Sequence, residues 1–253
     1  MSTIALRTLF MKEIRRFSKV WLQTVLSPLV TTSLYFLVFG VALGSRLREI
    51  SGVPYIQFVV PGLVMMTMVR DSFLNTSSSL FQSKINGTII DILIAPLGAF
   101  EILVAYVGAA MIRAIVVGAL VYLVALSFTW FPIRHIGWTI FFSLFVTATL
   151  ALLGLIAALW AEKFDHLAIF PNFVLLPLAF LGGVFYSIDL LPEPWNSISR
   201  FNPLLYMING LRYGFLGVAD VSPITSAIVV LVSFLVLLGV AGALLRSGYN
   251  LRS

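Results

Sequence analysis

The chain has 253 residues, of which 60% are hydrophobic before its 18 glycines are counted, 10% are charged and none is cysteine. A soluble domain carries about 45–50% apolar residues, glycine included, and about 25% charged ones, so a soluble globular protein is excluded, and the 13% aromatic content with so little charge excludes disorder. Without cysteine there is no disulfide scaffold, thiolate metal site or cysteine nucleophile, and a net charge of +6 spread along an apolar chain forms no nucleic-acid stripe.

The first predicted element, residues 3–21, is an amphipathic helix. At 100° per residue, Leu6, Phe10, Ile14, Phe17 and Trp21 point within about 40° of one direction, with Lys12, Arg15 and Lys19 opposite. Such a helix lies along membrane headgroups; the alternative is a loose basic leader that only sets topology. The segment has no small-residue cleavage site after a short apolar core, so retention of the N-terminus is expected.

Charged residues then act as boundaries, because one at the centre of a bilayer helix costs about 2.5–3.5 kcal/mol. Six charge-free runs result: 20–45, 50–69, 114–133, 135–161, 166–188 and 221–245. Each has the roughly 20 residues that cross a hydrocarbon core about 30 Å thick, and none alternates as a barrel strand does. The first contains Pro28 and the second Pro61, and the second is expected to leave the membrane at Arg70 and Asp71. Residues 72–100 form the largest inner connection. Its first part is too polar to face lipid and too apolar for a free linker. Its second part, TIIDILIAPLGAFE, suggests a short helix with Ile89, Ile92 and Leu93 as contacts for a partner, against the plainer reading of an interhelical loop.

The third span, from about 102 to 128, carries Arg113 about 18 Å along its axis. Substrate contact, a hydrogen-bonding hub between helices and snorkelling to the surface are all open for it. The fifth span, with Pro171, Pro177 and the Gly182 and Gly183 pair, is expected to bend. Residues 187–222 read as one or two short outer helices that dip into the leaflet or cap the bundle, before a last span over 223–245.

Lys and Arg set the orientation. Arg7, Lys12, Arg15, Arg16, Lys19, Arg70, Lys84, Lys163, Arg246 and Arg252 flank one side, and Arg46, Arg48, Arg134, Arg200 and Arg212 the other. The richer side is cytoplasmic and holds both termini.

No phosphate-binding loop, HExxH helix or GxSxG elbow occurs. His135 and His166 flank opposite ends of the fourth span, and Asp189 and Glu193 lie together with no evident pocket. The spans lack the buried acidic or His chain of an ion-coupled carrier, and no three-span repeat is evident. If this is a transporter, its energy comes from outside the chain.

Along nearly its whole length the layout resembles the type-2 permeases of ATP-binding-cassette exporters, the membrane half of type V ABC transporters. Two local patterns carry the likeness. In the inner connection stand Gly87, Thr88, Ile89, Ile90, Asp91, Ile92, Leu93, Ile94, Ala95, Pro96 and Leu97, followed by Glu101; Asp91 stands where Glu is usual in the family, keeping the charge with a shorter reach. Outside stand Asn202, Pro203, Leu204, Leu205 and Tyr206, followed by Arg212. The IQFVVPGLVMM stretch and the span-three arginine look most like a bacterial subgroup of multidrug, polysaccharide or nodulation-factor exporters.

The resemblance implies one all-α transmembrane domain over 1–253: six transmembrane helices, an N-terminal interface helix, a cytoplasmic coupling helix and short re-entrant outer helices before the last span. It implies a bacterial inner-membrane permease working as a homodimer with two ATPase subunits, which bind the ATP and Mg. The chain itself then has no catalytic or metal site. Gly87, Thr88, Ile89, Asp91, Leu93, Pro96 and Glu101 would couple to the ATPase. A pathway between two chains would run along spans one, two and five, with Phe36, Phe39, Phe58, Phe180, Phe185 and Tyr186 as its wall or gate, unless these face lipid or core. Amphipathic drugs, lipids or glycans are the expected cargo. The rivals are a self-contained channel or carrier and a lipid-modifying membrane enzyme.

Overall fold

The computed structural model describes residues 3–43 and 49–250; Arg46, Arg48 and Arg252, used above for orientation, and much of the first outer turn lie outside them. The fold is all-α apart from a two-stranded hairpin, β1 (Glu49–Ile50) with β2 (Val53–Pro54).

Helix α1 (Thr3–Lys19) leads into α2 (Trp21–Tyr35), which continues as a π-helical segment, Phe36–Leu43. After the hairpin come α3 (Tyr55–Ile85), α4 (Ile89–Ile94), α5 (Ala99–Ala125) and α6 (Ile136–Trp160). Then follow α7 (Phe164–Ile169), a π-helical stretch Phe170–Leu175 and α8 (Leu176–Leu181). A 3-10 turn (Ile188–Leu190), α9 (Trp195–Arg200), α10 (Pro203–Leu216) and α11 (Pro223–Ser247) complete the chain. The fifth run, expected to bend, carries a π-helical stretch at Pro171, whose ring supplies no N–H to the helix ladder.

Among the described residues, four helical stretches are long and apolar enough to cross a bilayer: Ala99–Ala125, Ile136–Trp160, Phe164–Leu181 and Pro223–Ser247. Thr3–Lys19 and Thr24–Phe39, bent by 57°, make a fifth if taken as one. The second charge-free run falls outside this set, and its helix does not end at Arg70 and Asp71. Helix α3 runs on through both residues and through the serine-rich stretch to Ile85, a length of about 46 Å at 1.5 Å per residue. Asp71 has a partner inside the protein, the Arg113 guanidinium.

Helix α3 is the axis of the bundle, packed by α5, α6 and α10, and most of its residues are buried. Its contact with α6 is close enough to require Gly154, where a Cβ would collide with the Phe73 carbonyl. The chain leaves α3 through Gly87 at φ +71°, a left-handed position that favours glycine. One turn earlier Lys84 donates to the carbonyls of Ala158, Leu159 and Ala161 at 3.1–3.2 Å, satisfying the end of α6. Asn250, just after α11, also donates to Leu159.

Candidate functional site

The buried face of α1 includes a carboxylate. Leu9 and Glu13 are buried, Leu6, Phe10, Ile14 and Phe17 are half-buried, and Trp21 is exposed, so the predicted apolar stripe is rotated toward Glu13. This residue, 1% exposed, accepts from Ser79 Oγ at 2.6 Å and from Arg16 Nε at 3.1 Å. Arg16 Nη2 also donates to the Asn75 side-chain and backbone oxygens at 2.7 and 3.0 Å. Asn75 Oδ1 accepts from Arg113 Nη1 at 3.1 Å, and Arg113 Nη2 pairs with Asp71 Oδ1 at 2.8 Å. Two carboxylates and two guanidiniums thus join α1, α3 and α5. Arg113 thus makes the bonds of a hub between helices, and its guanidinium also faces the cavity that the network borders.

This network forms one wall of a cavity of about 550 Å³. Arg16, Arg70, Asp71 and Arg113 face it from α1, α3 and α5, and Leu176 from α8. Helix α2 contributes Thr24, Ser27, Pro28, Thr31 and Tyr35, a polar stripe at helical spacing. Pro28 donates no N–H, which leaves the Thr24 carbonyl without its intrahelical donor on the cavity side. The cavity therefore opens a gap between α2 and α3, lined by hydroxyls and guanidiniums together with aliphatic side chains such as Leu63, Met66 and Leu74, and by no phenylalanine among the described residues.

The six aromatic residues singled out above lie elsewhere. Phe39 stacks on Phe185 with centroids 4.3 Å apart; Phe180 and Tyr35 join them at 5.5 and 5.8 Å from Phe185. Tyr35 also lines the cavity, so this cluster borders it. Phe36 is buried beside Phe128, 5.6 Å away, and Tyr186 is half-buried against the core. Phe58 lies under the Arg212 guanidinium, 3.8 Å from its ring centre.

Arg212 is a core residue, not the exposed flanking charge expected: it is 0% exposed. Its Nη2 donates to the Gly183 carbonyl at 2.5 Å and Nη1 stands 3.8 Å from Asp220 Oδ2. Asp220 in turn accepts from Ser187 Oγ and the Ile188 N–H. Asn202 caps α10 through the Leu204 N–H at 2.9 Å and donates to the Leu178 carbonyl at 2.6 Å. Pro203 opens α10, and Tyr206 Oη donates to the Arg200 carbonyl at 2.7 Å. The second motif thus anchors α10 to the end of α8.

Helix α4 follows the end of α3 and packs against it, where Lys84 and Asn250 meet the last carbonyls of α6. Ile89 and Ile92 turn into the protein, while Ile90, Asp91, Leu93 and Ile94 stand outside, Ile94 at 77% exposure. Thr88 Oγ1 reaches back to the Ser83 carbonyl at 3.4 Å. Pro96 is exposed, and Glu101 is buried, accepting from the Gly98 N–H at 3.0 Å as a cap of α5. Of the predicted contact residues Ile89, Ile92 and Leu93, only Leu93 faces outward.

Sequence reasoning missed Glu13, Arg16, Asp71 and Asn75. The signal was present: Asp71, Asn75, Ser79 and Ser83 recur every four residues, the polar face of one continuous helix.

Residues 4–216 match the family model described as ABC-2 type transporter. The chain belongs to the ABC-2 type transporter family. The matched region of this ABC-2 chain runs from α1 to the last residue of α10 and includes the polar network, the cavity and α4. The chain is similar to "Inner membrane transport permease YadH" of Escherichia coli (strain K12), 41% identical over 252 residues, covering 99% of this chain and 98% of that one. It is also 25% identical over 208 residues to "Nodulation protein J" of Rhizobium leguminosarum bv. viciae, with 79% and 78% covered. The nodulation protein J of Sinorhizobium fredii (strain NBRC 101917 / NGR234) is likewise 25% identical, over 211 residues and 78% of each chain.

Proposed function

We propose that this ABC-2 chain is the permease subunit of an ATP-driven exporter in the bacterial inner membrane. It works as a homodimer with two separate ATPase subunits, which bind ATP and Mg²⁺, and it moves an amphipathic drug, lipid or glycan outward. Both termini are cytoplasmic and the chain crosses the membrane six times, α3 counting as a span whose polar half is sheltered by α1, α5 and α6. The "inner membrane" in one relative's name and the "nodulation protein" title of others agree with this reading.

The observation that carries it is the outward face of α4. Ile90, Leu93 and Ile94 beside Asp91 present apolar surface and one charge at the end of the bundle carrying the chain's basic N-terminal helix, as a docking helix requires. In this reading α4 is the coupling helix. Gly87, Thr88 and Pro96 set its ends, Ile89 seats it on the bundle, Asp91 and Leu93 meet the ATPase, and Glu101 ties it to α5. The stroke reaches the cavity through α1, whose Arg16 is bonded to the cavity wall. The cluster of Tyr35, Phe39, Phe180 and Phe185 is the outer gate, with Phe36, Phe58 and Tyr186 packed behind it. The outer motif, Asn202, Pro203, Tyr206 and Arg212, holds the frame against which the gate moves.

Reconstitution tests the reading. Proteoliposomes holding the permease and a co-purified ATPase should export a fluorescent amphiphile only with hydrolysable ATP. Flux from the permease alone, without an ATPase, would establish a self-contained carrier instead.

A further inference from the structure

The charges that face the cavity are unbalanced. Three guanidiniums, of Arg16, Arg70 and Arg113, meet one carboxylate, Asp71, and that carboxylate is held by Arg113. Arg16 is engaged by Glu13 and Asn75. Arg70 is exposed and makes no hydrogen bond or ion pair among the described residues. Arg113 adds an Nε, and Asp71 an Oδ2, each buried without a hydrogen-bond partner, so the uncompensated charge of the wall is that of Arg70. Excess positive charge in a half-enclosed, low-dielectric space is relieved by an anion that accepts N–H groups, and a guanidinium fork suits phosphate oxygens best.

The rest of the wall fits the same ligand. Thr24, Ser27 and Thr31 bring hydroxyl donors from the opposite side, and no second carboxylate faces the cavity to hold a cation. Its volume lies in the range of small-molecule sites. On the elements that carry the cavity residues Tyr35 and Leu176, or continue them, Leu34, Leu37, Phe173 and Phe180 are exposed apolar surface, suited to acyl chains and not to water.

We infer that the cavity binds the phosphate-bearing headgroup of an amphiphile, with Arg70 as its principal contact and the apolar part of the molecule lying along α2 and α8. This names a substrate class for the export reading above and rests on it.

The full-length permease in phosphatidylcholine nanodiscs, without any ATPase, supplies the test through binding of a fluorescent phosphatidic acid probe and its phosphatidylcholine counterpart. The phosphatidic acid probe should bind saturably. Arg70→Gln should weaken it by about tenfold or more, the scale of one lost charge-assisted hydrogen bond, and Arg70→Lys should keep most of it. Arg246→Gln, an exposed cation at the end of α11, should change nothing. Competition by inorganic phosphate at the probe's own concentration identifies a soluble anion as the source of the chemistry; competition by lysophosphatidic acid alone identifies a tethered headgroup. Equal binding of the two probes, or an Arg70→Gln protein that matches the wild type, overturns the inference. Binding is read without ATP, so failure of ATP-coupled export leaves this result standing, and intact export with no headgroup preference rejects the headgroup site alone.

Discussion

Arg113 of α5 and Asp71 of α3 close a 2.8 Å ion pair, and Asn75, one turn along α3, accepts from both Arg113 and Arg16. One amide side chain therefore joins the interface helix to the pair in the cavity wall. Removing either charge strands the other in a poorly hydrated site. Arg113→Ala should lower stability by about 3 kcal/mol, the low end for breaking a buried pair, whatever substrate is present. Thermal unfolding in detergent, with the swapped Asp71→Arg and Arg113→Asp double variant recovering part of the loss, checks this; an unshifted melting temperature in both single variants would show that the pair holds nothing together.

Helix α4 separates docking from folding. Ile94→Glu and Asp91→Lys change only its outward face, so membrane insertion should be normal while co-purification with the ATPase and substrate-stimulated hydrolysis are lost. Ile90→Pro should have the same effect by breaking the helix. Wild-type hydrolysis in all three variants would remove α4 from the coupling path.

The cap at Asn202 has a measurable worth. Asn202→Ala removes the acceptor for the Leu204 N–H and the donor to the Leu178 carbonyl, and should cost at least about 1 kcal/mol. Hydrogen exchange at the start of α10 should rise before exchange elsewhere; uniform protection across α10 would contradict the anchoring role.

The contact at Gly154 leaves no room. Gly154→Ala places a Cβ against the Phe73 carbonyl and should cost about 1–3 kcal/mol as α3 and α6 part. Gly137→Ala on the same helix, where nothing lies within 4 Å of the new atom, is the matched control and should be neutral or better in a melting assay.

The aromatic cluster should behave as a seal. Phe185→Ala deletes the 4.3 Å stack with Phe39 and the tilted ring contacts to Tyr35 and Phe180. Proteoliposomes of that variant should leak a small amphiphile without ATP, whereas Phe36→Leu, changed beside the cluster, should stay tight. Equal retention by both would place the gate elsewhere.

Most of the helical order was legible because apolar runs and charges alternate in blocks. The ends of α5, α6 and α11 fall close to the predicted spans. What was not legible is how the charges pair. The partner of Asp71 is 42 positions away in sequence, and no local pattern reveals a pair of that separation. Nothing in the neighbourhood of Arg212 announces that Phe58, Gly183 and Asp220 converge on it. The hydroxyl stripe of α2 that faces the cavity was hidden because Thr24, Ser27 and Thr31 stand in a charge-free run that reads as a plain span.

The gap between α2 and α3 divides the molecule by the kind of change it tolerates. Helices α3, α5, α6 and α10 interlock through Gly154, Lys84 and buried ion pairs, so substitutions there trade directly against assembly. Helix α2 meets that block mainly along α5 and shows its other faces to the cavity and to the outside. Thr24, Ser27 and Thr31 can therefore drift in size and polarity at little cost to folding. Relatives sharing one scaffold would diverge in cargo along that single stripe, and a library confined to its three positions would be the shortest route to a permease with altered selectivity.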